Sequence, residues 1–412
     1  MRTLYRLLWW AALALPAFAE PKTFEGILAD AGDRVAPLLD KPEFEIQIRY
    51  VQVDRDARGR PSFRVFSFGI DPDRYFYPAS TVKFPAALVA LEKLGSRKLH
   101  GVDRETAMLT GVAHDWQTGV DKDRSSASGL PTLGNYIRKI FLVSDNDAFN
   151  RVYEFVGPDM LEKSLRGKGF TGTRIFHRLA VRRQPWHGRY TNPIRFEGSD
   201  GQVIYDQAAA VSRVDRAAKK PILKGRAYLN GGGKLHREPK DFAGNNFLPL
   251  AEQQDMLVAL VFPKGVPRKN RWRISEADRR FVLRAMGQAP ARSKFPDYSD
   301  KKYHAGYVKF LLHGGQPPPR NGSDVLLFNK VGQSYGYLID NAYIVDPQNG
   351  VEFFLAAVIH TNANQTYNDG RYEYDKTGFP FMRDLGRRIY QHELRRQKAH
   401  RPDLGEFAEM VK

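Results

Sequence analysis

Strand-like runs at both ends of the chain, with a helical pattern between them, are the feature that most restricts its fold. The runs are rich in β-branched and aromatic residues and are bounded by turn residues. They cover residues 44–53, 63–70, 325–331, 335–345 and 352–360. The first two flank a polar turn with Gly and Pro, which predicts a hairpin, and the last three are separated by tight turns.

Helical periodicity predicts helices over residues 23–39, 75–94, 133–156, 253–260, 275–286 and 381–397. Residues 102–291 are mostly helical in pattern, with long loops interrupted by Gly and Pro. This order predicts an α/β fold of the α+β type, in which one antiparallel sheet built from both chain ends is flanked by helices. We expect residues 20–75 and 325–412 to form an α/β subdomain, and residues 76–324 an inserted helical subdomain with an extended insertion.

The first nineteen residues have the pattern of an export signal. A charged start, Met1–Arg6, precedes an apolar run from Leu7 to Leu15 and a small-x-small sequence ending at Ala19. The run is too short to span a bilayer, and no later stretch is long and apolar enough to do so. We therefore predict a signal peptide over 1–19, a single domain over 20–412, no transmembrane segment after signal removal, and a periplasmic or secreted protein.

The charge of the chain favours anionic surroundings. Its 412 residues carry a formal net charge of +18 and contain no cysteine, so no disulfide contributes to stability. An anionic cell-wall contact fits an exported protein better than nucleic acid does, which we do not expect as a partner. The alternative is that the charge serves solubility alone. No metal-binding motif is present, and we expect no cofactor.

Ser80-Thr81-Val82-Lys83 begins an apolar helical stretch. A serine hydroxyl needs a base to become a nucleophile, and a lysine can serve if burial lowers its pKa. The i, i+3 spacing puts both side chains on one face. Without further motifs, an N-cap serine and a surface lysine would be the preferred explanation of the pair.

Ser144-Asp145-Asn146 follows an apolar run and precedes a new helical stretch. Such a triplet is commonly a cap or turn. In a cleft shared with Ser80, Ser144 could pass a proton to a leaving nitrogen, and Asn146 could bind an amide carbonyl.

Two segments qualify as a third motif. Lys376-Thr377-Gly378 lies in a polar loop with only a terminal helix after it, whereas Lys330-Val331-Gly332 ends an apolar strand that two more strands follow. A second cation at a strand edge would lower the pKa of Lys83 and attract a carboxylate. We therefore choose Lys330.

The three motifs in this order resemble the penicillin-recognising serine hydrolases, and most closely the class A β-lactamases. The resemblance implies that Ser80 is acylated, that Lys83 activates it and that Ser144 relays a proton. It further implies substrate-binding roles for a set of residues on the second and third motifs: Asn146, Lys330, Gly332, Gln333 and Ser334. The implied oxyanion hole is made by the backbone N–H groups of Ser80 and Gln333.

Three departures from that family pattern matter. Val331 replaces a hydroxyl residue that helps to bind the substrate carboxylate, although Ser334 could compensate, and the stretch between Asn146 and Lys330 is long. Residues 173–187, where class A enzymes carry the glutamate that activates the deacylating water, contain no acidic residue. The nearest glutamates are Glu162 and Glu197. His177 or His187 could be a substitute base, or a loop histidine bonded to backbone.

The sequence thus predicts an exported serine hydrolase that acts through an acyl-Ser80 intermediate on a β-lactam ring or a D-alanyl peptide of peptidoglycan. Without the acidic residue, deacylation is expected to be slow. The alternative is a non-catalytic penicillin-binding or peptidoglycan-binding protein that keeps the fold for recognition.

Overall fold

The computed structural model describes residues 23–96, 99–181, 185–318 and 325–411. The predicted signal peptide over 1–19 lies outside these residues. Within them, no helix has the length and apolarity that a bilayer crossing requires.

A five-stranded antiparallel sheet joins the two ends of the chain, as predicted. Its strands are β1 (Gln47–Arg55), β2 (Pro61–Phe68), β10 (Leu326–Ser334), β11 (Tyr337–Asp346) and β12 (Val351–His360). Their order across the sheet is β10-β11-β12-β1-β2, so the N-terminal hairpin continues the sheet from the C-terminal strands. The strand β10, which carries the third motif, is therefore an edge strand.

Burial explains why these segments form strands. Every residue of β11 and β12 is buried, because helices cover both faces of the central sheet. The edge strand β2 instead alternates between half-buried and exposed residues. Alternate side chains of β11 enter separate cores: Tyr343 and Val345 join one, and Ile344 joins the other.

Ten helices lie among the described residues. They are α1 (Phe24–Ala29), α2 (Ala36–Leu39), α3 (Lys83–Leu94), α4 (Leu133–Leu142), α5 (Asn146–Val156), α6 (Pro158–Gly167), α7 (Leu250–Val261), α8 (Glu276–Gly287), α9 (Phe379–Arg395) and α10 (Gly405–Met410). The core of the helical region is built on α3, of which nearly every residue is buried. Ser275 caps the start of α8, where its side chain accepts a hydrogen bond from the backbone N–H of Asp278 at 3.0 Å.

The helix predicted over residues 23–39 is wrong as a single element. It is divided into α1 and α2 because Gly32 adopts a left-handed φ of 83° between them. The C-terminal helix α10, which the sequence pattern did not predict, follows α9.

The prediction of a mostly helical stretch over 102–291 needs correction. Seven short segments within it form strands of small sheets, and an eighth, after β12, pairs with one of them: β3 (Ala107–Thr110), β4 (Ile194–Glu197), β5 (Val203–Gln207), β6 (Leu223–Lys224), β7 (Ala227–Leu229), β8 (Leu235–His236), β9 (Lys240–Asp241) and β13 (Thr366–Tyr367). Each has only two to five residues, which gives too little alternation to be recognised in sequence. The glycine-rich segment at 230–234 is the turn between β7 and β8. The proposed division into two subdomains stays a prediction.

Candidate active site

Ser80 lies in a tight turn at the start of α3. Residues Ala79–Val82 form a 3₁₀ turn that continues directly into the helix at Lys83. Because side chains three residues apart align in 3₁₀ geometry, Ser80 and Lys83 lie on the same side of this turn. Ala79 has a φ of 48°, a left-handed conformation that is costly for a residue with a Cβ. Ser80 is half-buried and Lys83 is buried.

Gly332 on β10 lets the strand edge approach this turn closely. A Cβ at Gly332 would lie 2.7 Å from the carbonyl oxygen of Pro78 and 3.3 Å from Cβ of Ala79. Only a glycine fits there without displacing the backbone that leads into Ser80. The third motif is thereby packed against the first.

Lys83 connects the first motif to the second. Its Nζ donates hydrogen bonds to the backbone oxygen of Ser144 at 2.5 Å and to Oδ1 of Asn146 at 2.6 Å. Ser144 Oγ lies 3.5 Å from the same Nζ. Burial lowers the pKa of Lys83 to about 7, with Asp145 acting in the opposite direction.

The second motif is both a helix cap and a source of pocket groups. The side chain of Asp145 accepts a hydrogen bond from the N–H of Ala148 at 2.8 Å and so caps α5. Ser144 precedes it with a left-handed φ of 61°. Asn146 is exposed as a residue, and its amide oxygen is the acceptor of the Lys83 bond.

Lys330 completes the cluster. Its Nζ donates to Ser144 Oγ at 2.7 Å and to the backbone oxygen of Val331 at 2.9 Å. Burial, reinforced by the positive charge of Lys83, holds the pKa of Lys330 well below its usual value, against the opposing effect of Asp340. Ser144 thus lies between two buried amines.

A pocket of about 400 Å³ opens above this cluster. Ser80, Ser144, Val331 and Gln333 all line it, together with residues from the long stretch before β10. Ser334 is on the same strand but is not among the described lining residues. The structure therefore brings together Ser80, Lys83, Ser144, Asn146, Lys330, Gly332 and Gln333. The chemical role of each stays a prediction.

The segment over residues 299–316 forms one wall of the pocket, through Lys302, His304 and Tyr307. Nδ1 of His304 is buried and has no hydrogen-bond partner among the described residues, and burial lowers the pKa of its ring. Sequence reasoning missed this wall. The sequence signal at this wall is an S-x-x-K spacing from Ser299 to Lys302, which lies in a polar segment without helical periodicity.

A buried carboxylate attaches this wall to the sheet. Asp340 on β11 accepts hydrogen bonds at 3.0 Å from the backbone N–H groups of both Phe310 and Leu311. Its other oxygen accepts from Asn329 at 2.8 Å, and Asn329 Oδ1 in turn accepts from Lys309 Nζ at 2.6 Å. Because all these groups are buried and partnered, the wall has a defined position relative to β10.

His177 lies in the stretch over 173–187 that contains no acidic residue, and its ring is held by hydrogen bonds. Nδ1 of His177 lies 2.7 Å from the backbone oxygen of Arg178, and its Nε2 accepts from the N–H of Asn246 at 3.1 Å. Both ring nitrogens are therefore engaged by backbone groups. His187 stacks on Trp116, with ring centroids 4.0 Å apart.

The nearby glutamates do not supply a base to the pocket either. Glu162 pairs with Arg216 at 2.8 Å, and Glu197 ends the short strand β4. Glu154, which sequence reasoning did not single out, is buried between Arg151 at 2.9 Å and Arg178 at 2.8 Å. None of the three is among the described residues that line the Ser80 pocket.

Comparison with known proteins agrees with the motifs. Residues 34–215 match the model of the beta-lactamase enzyme family, a range that contains Ser80, Lys83, Ser144 and Asn146 but not Lys330. A β-lactamase regulatory protein, BlaB, from Streptomyces cacaoi is 25% identical over 155 residues, which are 38% of this chain and 47% of that protein. The match thus spans about half the length of that relative.

Three solved structures are similar to this chain. A β-lactamase from Sphaerobacter thermophilus has 15% identity and a TM-score of 0.46, with 90% of this chain and 97% of that chain covered. A β-lactamase from Streptomyces albus G has 15% identity and a TM-score of 0.44, with coverages of 88% and 98%. PBP-A has 16% identity and a TM-score of 0.44, with coverages of 86% and 92%.

The family match over 34–215 includes the first two motifs. Lys330 of the third motif donates a hydrogen bond to Ser144 of the second. Over residues 34–215 the chain is therefore similar to the beta-lactamase enzyme family, as the order of its motifs predicts.

Proposed function

We propose that this protein is an exported serine hydrolase that forms an acyl-Ser80 intermediate on an amide bond beside a carboxylate. The observation that carries the proposal is the position of Ser144, whose oxygens are bonded by the low-pKa amines of Lys83 and Lys330 in the pocket that Ser80 lines. Such an arrangement can activate a serine without a histidine. Its substrates would be β-lactam rings or D-alanyl peptides of the cell wall.

The hydrogen bonds of Lys83 support its role as the base. A neutral amine has two N–H groups and one lone pair. The two short bonds, to Ser144 O and Asn146 Oδ1, use both N–H groups and leave the lone pair for the proton of Ser80. A pKa of about 7 makes this neutral form well populated at neutral pH.

The proposed reaction then needs no further group for acylation. Ser80 Oγ attacks the carbonyl carbon while its proton moves to Lys83 Nζ, and the oxyanion is stabilised by the N–H groups of Ser80 and Gln333. As the C–N bond breaks, Ser144 donates its own proton to the leaving nitrogen and receives in its place the proton that Lys83 took from Ser80, since Lys83 Nζ lies 3.5 Å from Ser144 Oγ. The acyl group remains as an ester on Ser80.

Hydrolysis of that ester is expected to be slow. Deacylation needs a base for the attacking water, and Glu154, Glu162 and Glu197 are all engaged or placed away from the described pocket lining. His177 has both ring nitrogens occupied. A long-lived acyl-enzyme is the behaviour of a penicillin target more than of an efficient resistance enzyme.

Fluorescent penicillin followed by intact-mass spectrometry tests the proposal. We expect one adduct mass on Ser80, absent in the Ser80→Ala variant, that decays over many minutes. A folded wild-type protein that never gains this mass would refute acyl-Ser80 chemistry, and adduct loss within seconds would refute slow deacylation.

A second candidate is a non-catalytic peptidoglycan-binding protein. The regulatory relative, the apolar Val331 and the absence of an acidic base favour it. Binding of the Ser80→Ala variant to purified peptidoglycan discriminates the two, because a pure binder keeps its affinity and shows no adduct in the wild type.

A further inference from the structure

A second, larger cavity of about 790 Å³ lies between α4, α8 and the segment after α8. Its charged lining is strongly unbalanced, since five cationic side chains surround it and Glu105 is the one acidic residue among the described lining residues. The cations are Arg104, Arg138, Arg284, Arg292 and Lys294. We call this cavity the basic groove.

Two of these cations are fixed in place by their neighbours. The guanidinium carbons of Arg104 and Arg138 lie 4.6 Å and 5.0 Å from the ring centroid of Phe281. Arg104 also pairs with Asp278 at 2.7 Å, and Arg138 pairs with Glu105. These contacts hold the side chains of Arg104 and Arg138 in place at the groove.

The other three cations lack such compensation. Within the described part of the chain, Arg284, Arg292 and Lys294 form no ion pair with a carboxylate, and all three are exposed. Arg292 donates to the backbone oxygen of Val411 at 3.2 Å, which orients it without neutralising it. The groove therefore presents uncompensated positive charge to whatever enters it.

The chain connects the lining of the basic groove to the lining of the Ser80 pocket at two places. Leu142 lines the groove, and the next two residues, Val143 and Ser144, line the pocket. At the second place, the segment from Arg292 to His304 begins in the groove and ends in the pocket wall. Tyr298 lies midway along this segment. Burial raises the pKa of Tyr298, and the negative charge of Asp145 raises it further.

We propose that the basic groove binds the carboxylate groups of an acidic peptide whose scissile amide lies at Ser80. The inference rests on the proposed function and names its substrate class. Arginine binds carboxylates through paired N–H donors, and several such groups along one groove select a chain with several carboxylates. A compact β-lactam with one carboxylate at the reacting end would fill the smaller pocket and leave the groove empty.

The test compares two double variants of the full chain that remove the same charge. Arg284→Gln with Lys294→Gln changes the groove, and Arg268→Gln with Lys269→Gln changes an exposed basic site that lines a different cavity. The probes are a synthetic peptide with three side-chain carboxylates ending in D-alanyl-D-alanine, its side-chain-amidated counterpart, and a fluorescent penicillin.

We expect acylation of Ser80 by the acidic peptide to slow about tenfold in the groove variant, which corresponds to two charge contacts of modest strength. The control variant should match the wild type. Both variants should react normally with the penicillin and with the amidated peptide. Equal rates for the acidic peptide in the wild type and the groove variant would overturn the inference.

Binding measured in a Ser80→Ala background separates the groove from the chemistry. Fluorescence anisotropy should show tighter binding of the acidic peptide than of the amidated one, and the groove substitutions should abolish the difference. Equal binding of both peptides, or binding of inorganic polyphosphate with none of the peptide, would overturn the inference. Absence of any Ser80 adduct in the wild type would instead count against the proposed function, while this binding measurement would still decide on the groove.

Discussion

Lys330 Nζ donates a 2.7 Å hydrogen bond to Ser144 Oγ, although 186 residues separate the two in sequence. The bond joins an edge strand to the turn before α5. Lys83 reaches the same serine from α3, so three separate elements meet at one hydroxyl. The buried amines of Lys83 and Lys330 hold Ser144 in place, and Ser80 lines the pocket.

Replacing Lys83 with methionine should reduce acylation by about 10² to 10⁴, the usual contribution of a general base. Removing the amine also takes a donor from Ser144 O and Asn146 Oδ1, so the free energy of unfolding should fall by about 1–3 kcal/mol. Rates from adduct formation and the thermal midpoint measure the two effects.

The matched control for that change is Lys93→Met. Lys93 lies on the same helix, and burial lowers its pKa to about 8, but its bonds go to Phe155 O and Gln207 Oε1. Its replacement should leave acylation unchanged. A similar loss of rate in both variants would show that helix packing, and not the Lys83 amine, controls the reaction.

The acylation rate should rise with pH up to about 7 and then level off, because Lys83 must be neutral to accept the Ser80 proton. The titration of Lys83 also makes the free energy of unfolding depend on pH. The pKa of Lys83 falls from 10.5 to about 7 on folding, so between these values the unfolded chain binds more protons than the folded one. Its contribution to the free energy of unfolding should therefore increase as the pH rises from about 7 to about 10.5.

Denaturant titrations of wild type and Lys83→Met across this pH range measure the difference. The wild type should gain stability relative to the variant as the pH rises. A constant difference would mean that the pKa of Lys83 is not depressed in the folded protein.

Gly332→Ala should destabilise the protein by about 1–3 kcal/mol and slow acylation, because the added Cβ would lie 2.7 Å from Pro78 O. The turn carrying Ser80 would have to move. Gly231→Ala is the control, since a Cβ there meets nothing within 4 Å. Unfolding curves and adduct rates report both quantities, and an unaffected Gly332→Ala enzyme would disprove the close packing.

Asp340→Asn should weaken substrate binding more than the chemical step. It removes the carboxylate that accepts from the N–H groups of Phe310 and Leu311, so the pocket wall loses its attachment and about 1–3 kcal/mol of stability is lost. We expect a several-fold higher KM for acylation with little change in its limiting rate.

Asp346→Asn serves as the comparison on the same strand. Asp346 accepts from Asn349 at 2.7 Å and from Tyr390 at 2.5 Å, away from the pocket. This variant should lose stability with no change in KM. An equal rise of KM in both variants would mean that general destabilisation, not the wall, is the cause.

Sequence alone determined the elements whose signals are local. Apolar periodicity and turn residues are local signals that consecutive positions of the sequence contain. They were sufficient to predict the five strands of the main sheet, the long helices and the first two motifs. The choice of Lys330 over Lys376 came from its strand context, and the position of Lys330 beside Ser144 agrees with that choice.

Tertiary structure alone decided which distant groups share the pocket. Lys302 and His304 form its wall because Asp340, more than thirty positions later in the chain, holds the backbone of Phe310 and Leu311. The basic groove likewise gathers cations from α4, α8 and the loops beside them. The depressed pKa values of Lys83 and Lys330 belong to this level too, since burial is a property of the packed chain and residue order does not encode it locally.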